Sequence, residues 1–100
     1  MTMEALRRII ILTGISGAGK TTATKSLEDV GFRTVDNLPH ELLPALVEKI
    51  GADPVRFPRT CLVIDARDGD PSDAVGTVRR IARDSGMEVR TIFLDARDDV

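Results

Sequence analysis

One stretch of the chain has the residue types and spacing that bind a phosphate chain. Gly14 to Thr21 reads Gly-Ile-Ser-Gly-Ala-Gly-Lys-Thr and matches the pattern G-x-x-x-x-G-K-[ST]. Glycines let the backbone approach the phosphates closely, and successive N–H groups at a helix N-terminus attract negative charge. Lys20 adds a point charge, and the hydroxyl of Thr21 suits Mg²⁺. The predicted site residues are Gly14, Ile15, Ser16, Gly17, Ala18, Gly19, Lys20 and Thr21.

This motif requires a strand before it and a helix after it. Residues 8–13 form a short apolar run, which predicts a buried strand. Residues 21–30 predict a helix in which Ala23, Leu27 and Val30 face the sheet. Gly31 then ends the helix, because glycine readily adopts the conformation that follows a helix C-terminus.

Strands and helices alternate along the remainder of the chain. Further strands are predicted at 32–36, 60–65 and 88–94. One helix is predicted at 44–50, ended by Gly51, and another begins at Pro71 and ends before Gly86. This alternation predicts an α/β fold with helices on both faces of a parallel sheet, and the P-loop after the first strand makes it the kinase-like P-loop NTPase type.

Two aspartates close predicted strands at the edge of the sheet where such folds bind ligands. Asp65 follows four apolar residues, as in the Walker B pattern, and predicts a second Mg²⁺ ligand opposite Thr21. Asp36 ends the second strand. There it could act as the base that accepts a proton from a phosphoryl acceptor, or cap the turn at Asn37-Leu38-Pro39.

Composition restricts the class of protein. The net charge is −2 with both signs interspersed, so no general nucleic-acid footprint is present. Cys61 is the single cysteine and lies in an apolar run, which predicts an inert buried thiol and fits the reducing cytoplasm. No run is long and apolar enough for a membrane span.

The order of motifs resembles the RapZ-type family of bacterial P-loop proteins, named for the RNase adapter activity of one member. After the P-loop come Leu-Glu-Asp-Val-Gly-Phe at 27–32 and Val-Asp-Asn-Leu-Pro at 35–39. Ile-Asp-Ala-Arg at 64–67 and Phe-Leu-Asp-Ala at 93–96 complete the series. The pair of motifs at 27–32 and 35–39 is far more specific than the P-loop, because P-loop kinases at large do not share it.

The resemblance implies that ATP binds at 14–21 and that GTP is associated with the loop after the third strand. The GTP-associated residues carried over by motif are Asp65, Ala66, Arg67 and Asp68. It further implies at most weak ATP or GTP hydrolysis, and RNA and RNase partners bound through a C-terminal domain. Residues 1–100 are then expected to form the N-terminal part of a nucleotide-binding domain with an incomplete sheet, and self-association is left open.

Two other functions fit the same residues. A small-molecule kinase would transfer the γ-phosphoryl of ATP to an acceptor near Asp36. A GTPase switch would need a guanine-reading motif of the N-K-x-D kind, and none occurs in these residues. The resemblance favours a regulatory nucleotide-binding protein over both.

Overall fold

The computed structural model describes residues 8–14, 17–53, 55–57, 59–64 and 71–94. Four strands and three α-helices alternate along these residues, and a short 3₁₀ turn, His40–Leu42, precedes the second helix. The elements are β1 (Arg8–Gly14), α1 (Gly17–Asp29), β2 (Arg33–Val35), α2 (Leu43–Ala52), β3 (Arg59–Ile64), α3 (Pro71–Asp84) and β4 (Glu88–Leu94).

The described strands form one parallel sheet in the order β2-β3-β1-β4. The central strand β1 pairs with β3 on one side and with β4 on the other. Ile9, Ile11 and Leu12 of β1 are fully buried, which explains why this strand is apolar on both faces. The parallel arrangement brings the carboxyl ends of the strands to the same edge of the sheet.

Helices cover both faces of the sheet, so the predicted fold class is confirmed. Ala23 and Leu27 of α1 pack against one face. Helices α2 and α3 pack against the other face and against each other. The buried residues of the α1 face are Ile10, Leu12, Cys61 and Val63. The buried residues of the α2/α3 face are Ile9, Ile11, Leu43, Val47, Ile50, Leu62, Ile64, Ala74, Val78, Ala82 and Met87.

Glycine ends α1, as predicted. Gly31 has φ +97°, its N–H donates to the carbonyl of Glu28, and the N–H of Phe32 donates to the carbonyl of Leu27. This is the Schellman arrangement, which satisfies carbonyls at a helix end. The prediction for Val30 was wrong, because this residue lies beyond the helix and 58% of it is exposed.

Gly51 does not end α2, which is the main correction to the predicted elements. The helix continues to Ala52, and the N–H of Asp53 donates to the carbonyls of Lys49 and Ile50. A Cβ added to Gly51 would lie 2.8 Å from the Cβ of Ser85, just after α3. Gly51 therefore lets α2 pass close to the end of α3, which sequence pattern alone does not reveal.

The remaining differences from the predicted elements are small. Helix α1 begins at Gly17 rather than at residue 21, so the second half of the P-loop motif is helical. Strand β2 is shorter than predicted and β3 begins one residue earlier. The predicted bounds of β4 are confirmed. Among the described residues, no helix has the length and hydropathy of a membrane span.

Candidate nucleotide-binding site

The P-loop motif lies between the end of β1 and the start of α1. Gly14 is the last residue of β1 and has φ +129°, a backbone conformation that side-chain-bearing residues rarely adopt. Helix α1 begins only three positions later, at Gly17. The predicted strand–loop–helix geometry is therefore present, while Ile15 and Ser16 lie outside the described residues.

The N-terminus of α1 has the electrostatics of an anion site. The first N–H groups of a helix have no partner within the helix, and the helix dipole adds partial positive charge there. The first turn of α1 contains no carboxylate that would compete with a phosphate for these groups. Lys20 is half-buried and Thr21 is exposed in the same part of the helix. The residues present therefore fit a phosphate chain.

Strand β3 ends beside the end of β1. Thr13 of β1 pairs in register with Ile64, the last residue of β3. The predicted GTP-associated residues Asp65, Ala66, Arg67 and Asp68 follow Ile64 in the chain and lie outside the described residues. The pairing of Thr21 with Asp65 around Mg²⁺ thus stays a prediction. Among the described side chains, no group of three or more His, Cys, Asp and Glu is arranged to hold a metal ion.

Asp36 directly follows β2. It lies on the rim of the sheet, which is the edge formed by the carboxyl ends of the strands. One of its carboxylate oxygens accepts a hydrogen bond of 2.7 Å from the N–H of Asn37, whose φ is +63°. This bond joins neighbouring residues, whereas an Asx-turn bond comes from the N–H two residues on, so both predicted roles of Asp36 stay predictions. The carboxylate is nevertheless exposed, so it remains accessible to a ligand.

A groove on this rim was missed by sequence analysis. It has a volume of about 330 Å³ and lies between the N-terminal ends of α2 and α3. Polar and apolar side chains from both segments line it, and no sequence pattern links them. The lining residues are His40, Glu41, Leu43, Pro44, Asp73, Ala74 and Thr77.

The thiol of Cys61 is fully buried in β3, as predicted. Burial, together with the smaller effects of the Asp36 and Glu28 carboxylates, raises its pKa to about 11. A thiol with this pKa is protonated at neutral pH and is a poor nucleophile. The structure therefore supports a packing role for Cys61.

Comparisons with known proteins agree with the motifs. The family model described as the RapZ-like N-terminal domain matches residues 7–100. A nucleotide-binding protein of Myxococcus xanthus is 46% identical over 99% of this chain and 33% of its own length. Nucleotide-binding protein STH186 of Symbiobacterium thermophilum is 44% identical over the whole chain and 33% of its own length. The chain thus spans about a third of the length of the curated relatives it matches.

A similar solved structure is described as the crystal structure of APE1195. It has a TM-score of 0.51 and 21% sequence identity, and the match covers 85% of this chain and 58% of that one. At this identity the likeness supports the α/β fold alone. The family model, which covers nearly all of the chain, confirms the resemblance drawn from the motifs: this chain belongs to the RapZ-like N-terminal domain family.

Proposed function

We propose that this chain binds ATP or GTP as a Mg²⁺ complex and acts as a nucleotide-dependent regulatory module. The phosphate chain lies on the backbone N–H groups at the start of α1, with Lys20 beside it. Thr21 and Asp65 hold Mg²⁺, and residues 65–68 contact GTP. In this role bound nucleotide reports to a partner, and hydrolysis is slow.

One observation carries the proposal. Strand β1 ends at Gly14 with positive φ, and a helix free of carboxylates in its first turn begins three positions later. With this geometry the first N–H groups of α1, and the positive end of its dipole, face the rim at which parallel sheets bind ligands. The curated relatives named as nucleotide-binding proteins support the same class of ligand.

The test is titration calorimetry with Mg·ATP and Mg·GTP on the chain and on Lys20→Ala. Removing this ammonium should weaken binding about tenfold or more, since hydrogen bonds to charged groups contribute roughly 1.5–3 kcal/mol. Lys25→Ala is the matched control, because Lys25 is an exposed lysine of the same helix outside the motif. Equal affinity in Lys20→Ala and Lys25→Ala would contradict the assignment of the P-loop.

The groove between α2 and α3 favours one alternative function, that of a small-molecule kinase. It lies on the same rim as the P-loop and carries Glu41, Asp73 and Thr77, which could bind hydroxyl groups of an acceptor. Asp36 would then accept the proton of the attacking hydroxyl. Fast nucleotide turnover that depends on an added acceptor would favour this function over the regulatory one.

A further inference from the structure

The amino ends of the strands form the edge of the sheet opposite the P-loop. Arginines lie at both sides of this edge, but only those on the β4 side form ion pairs with a described carboxylate. At the β4 end, Arg8 and Arg90 both contact Glu88, at 3.2 Å and 3.3 Å. At the β2 end, Arg33 and Arg56 are exposed and neither has an ion-pair partner among the described residues. The β2 end therefore has guanidinium charge available for a partner.

The two guanidiniums at this end are held by one aromatic ring. The central carbons of the Arg33 and Arg56 guanidiniums lie 5.7 Å and 5.6 Å from the centroid of Phe57. These distances put the two charges no more than about 11 Å apart, close to one Debye length in about 0.1 M salt. Negative charge on a segment that passes this ring would therefore be attracted by both guanidiniums.

Asp53 accepts hydrogen bonds from the two described residues that precede Pro58. The carboxylate of Asp53 accepts the N–H of Arg56, and the carbonyl of Asp53 accepts the N–H of Phe57. Phe57 also packs against the core of the α2/α3 face. The side chain of Arg59, at the start of β3, donates to the carbonyl of Val30 at 2.9 Å. The guanidinium groups thus stand on an ordered platform, which lowers the entropy cost of binding.

This platform adjoins a strand edge with which no described strand pairs. In the described sheet β2 is a terminal strand whose one neighbour is β3. The outer edge of such a strand has backbone N–H and C=O groups that an added extended strand can pair with. Arg33 is the first residue of β2, so the edge and the charges are adjacent.

We propose that the outer edge of β2, with Arg33 and Arg56, binds an extended acidic segment of a partner protein. Backbone pairing along Arg33–Val35 aligns the segment, and its carboxylates contact the two guanidiniums. Asp53 lies near Arg56 and disfavours acidic residues placed directly beside it. The two arginines lie at the amino ends of the strands, whereas the P-loop follows the carboxyl end of β1, so contacts with the arginines leave the nucleotide site open.

An acidic peptide fits these observations better than a nucleic acid. The ring of Phe57 already lies under two guanidiniums and is not a free platform for stacking a base. The chain also has a net charge of −2 and therefore lacks the broad positive field of nucleic-acid-binding domains. The free strand edge, in contrast, matches the backbone of a peptide.

The experiment measures fluorescence anisotropy of a short labelled peptide of alternating Glu and Thr at low ionic strength. The peptide should bind the chain, and Arg33→Gln/Arg56→Gln should weaken it about tenfold, as expected for the loss of two exposed ion pairs. Arg80→Gln/Arg83→Gln removes the same charge from the exposed side of α3 and should leave binding unchanged. A peptide of the same sequence methylated on its backbone nitrogens should also bind weakly.

Several outcomes would overturn the proposal. These are no binding, equal loss in the two double variants, full binding by the methylated peptide, or tighter binding of a short oligouridylate through the same arginines. Affinity for Mg·ATP, measured in parallel, should be the same in Arg33→Gln/Arg56→Gln as in the unmodified chain. A defect in nucleotide binding alone would concern the P-loop, so failures of the two proposals are distinguishable.

Discussion

Replacement of Gly51 by alanine tests the close approach of α2 to the end of α3. Gly51 is the next-to-last residue of α2, and its backbone is helical. By helix propensity alone, alanine there should stabilise the fold by up to about 1 kcal/mol. A Cβ at this position would, however, lie 2.7 Å from the Oγ and 2.8 Å from the Cβ of Ser85, and 3.3 Å from the Cε of Met87.

The contact with the Cβ of Ser85 decides the sign of the effect. The hydroxyl of Ser85 can rotate away and the end of Met87 can shift, but a Cβ moves only with its backbone. Forcing an extra carbon into such a contact costs about 1–3 kcal/mol. Set against the propensity gain, Gly51→Ala should destabilise the chain by about 1 kcal/mol, a fall in Tm of about 4–8 °C for a domain of this size.

Gly76→Ala is the matched control. Gly76 lies inside α3, and a Cβ there would meet nothing within 4 Å. The same substitution should therefore raise stability by roughly 0.5–1 kcal/mol. Urea unfolding followed by circular dichroism measures both variants. In Gly51→Ala/Ser85→Gly the clashing carbon is gone, so the double-mutant cycle should show a favourable coupling between the two sites.

The reasoning would be refuted if Gly51→Ala stabilised the chain as much as Gly76→Ala does. That result would mean that α2 and the end of α3 are further apart than the contact distances state. A destabilised Gly51→Ala that Ser85→Gly leaves unrelieved would show that the cost arises elsewhere in the helix.

Two further predictions concern single side chains on the sheet. If the chain is a kinase, Asp36→Asn should abolish acceptor-dependent phosphoryl transfer while leaving Mg·ATP affinity intact, and unchanged transfer would exclude Asp36 as the base. Burial, aided by Asp36 and Glu28, raises the pKa of Cys61 from its ordinary value of 9.0 to about 11, so the folded chain keeps this proton when the unfolded chain loses it. Stability should therefore fall as pH rises from about 9 to about 11, and unfolding measurements across this range should show a smaller fall in Cys61→Ala; an equal fall would assign the effect to another group.

Local sequence patterns predicted most of the elements. Short apolar runs marked the central strands, because a strand covered on both faces needs apolar side chains along its whole length. Gly31 marked the end of α1, because the helix ends in a conformation that favours glycine. The same type of residue at Gly51 led to a wrong helix end, because there glycine is needed to avoid a clash with Ser85, just after α3.

The candidate site was predictable in part for the same reason. The residues of the P-loop are neighbours in sequence, and their spacing alone requires a strand before them and a helix after them. The groove on the rim could not be predicted, because His40 and Asp73 come from segments that meet only when α2 packs on α3. The cluster of Arg33, Arg56 and Phe57 could not be predicted either, because Arg33 belongs to a strand and the other two residues to a distant turn.

By itself, the sequence determined the phosphate-binding motif, the alternation of strands and helices, and the family. These properties depend on residue type and on spacing along the chain, which a sequence records directly. The tertiary structure decided the strand order β2-β3-β1-β4, the passage of α2 against the end of α3, and the opposite placement of the P-loop and the arginine platform. Those features arise from contacts between residues that are far apart in sequence, and such contacts form only in the folded chain.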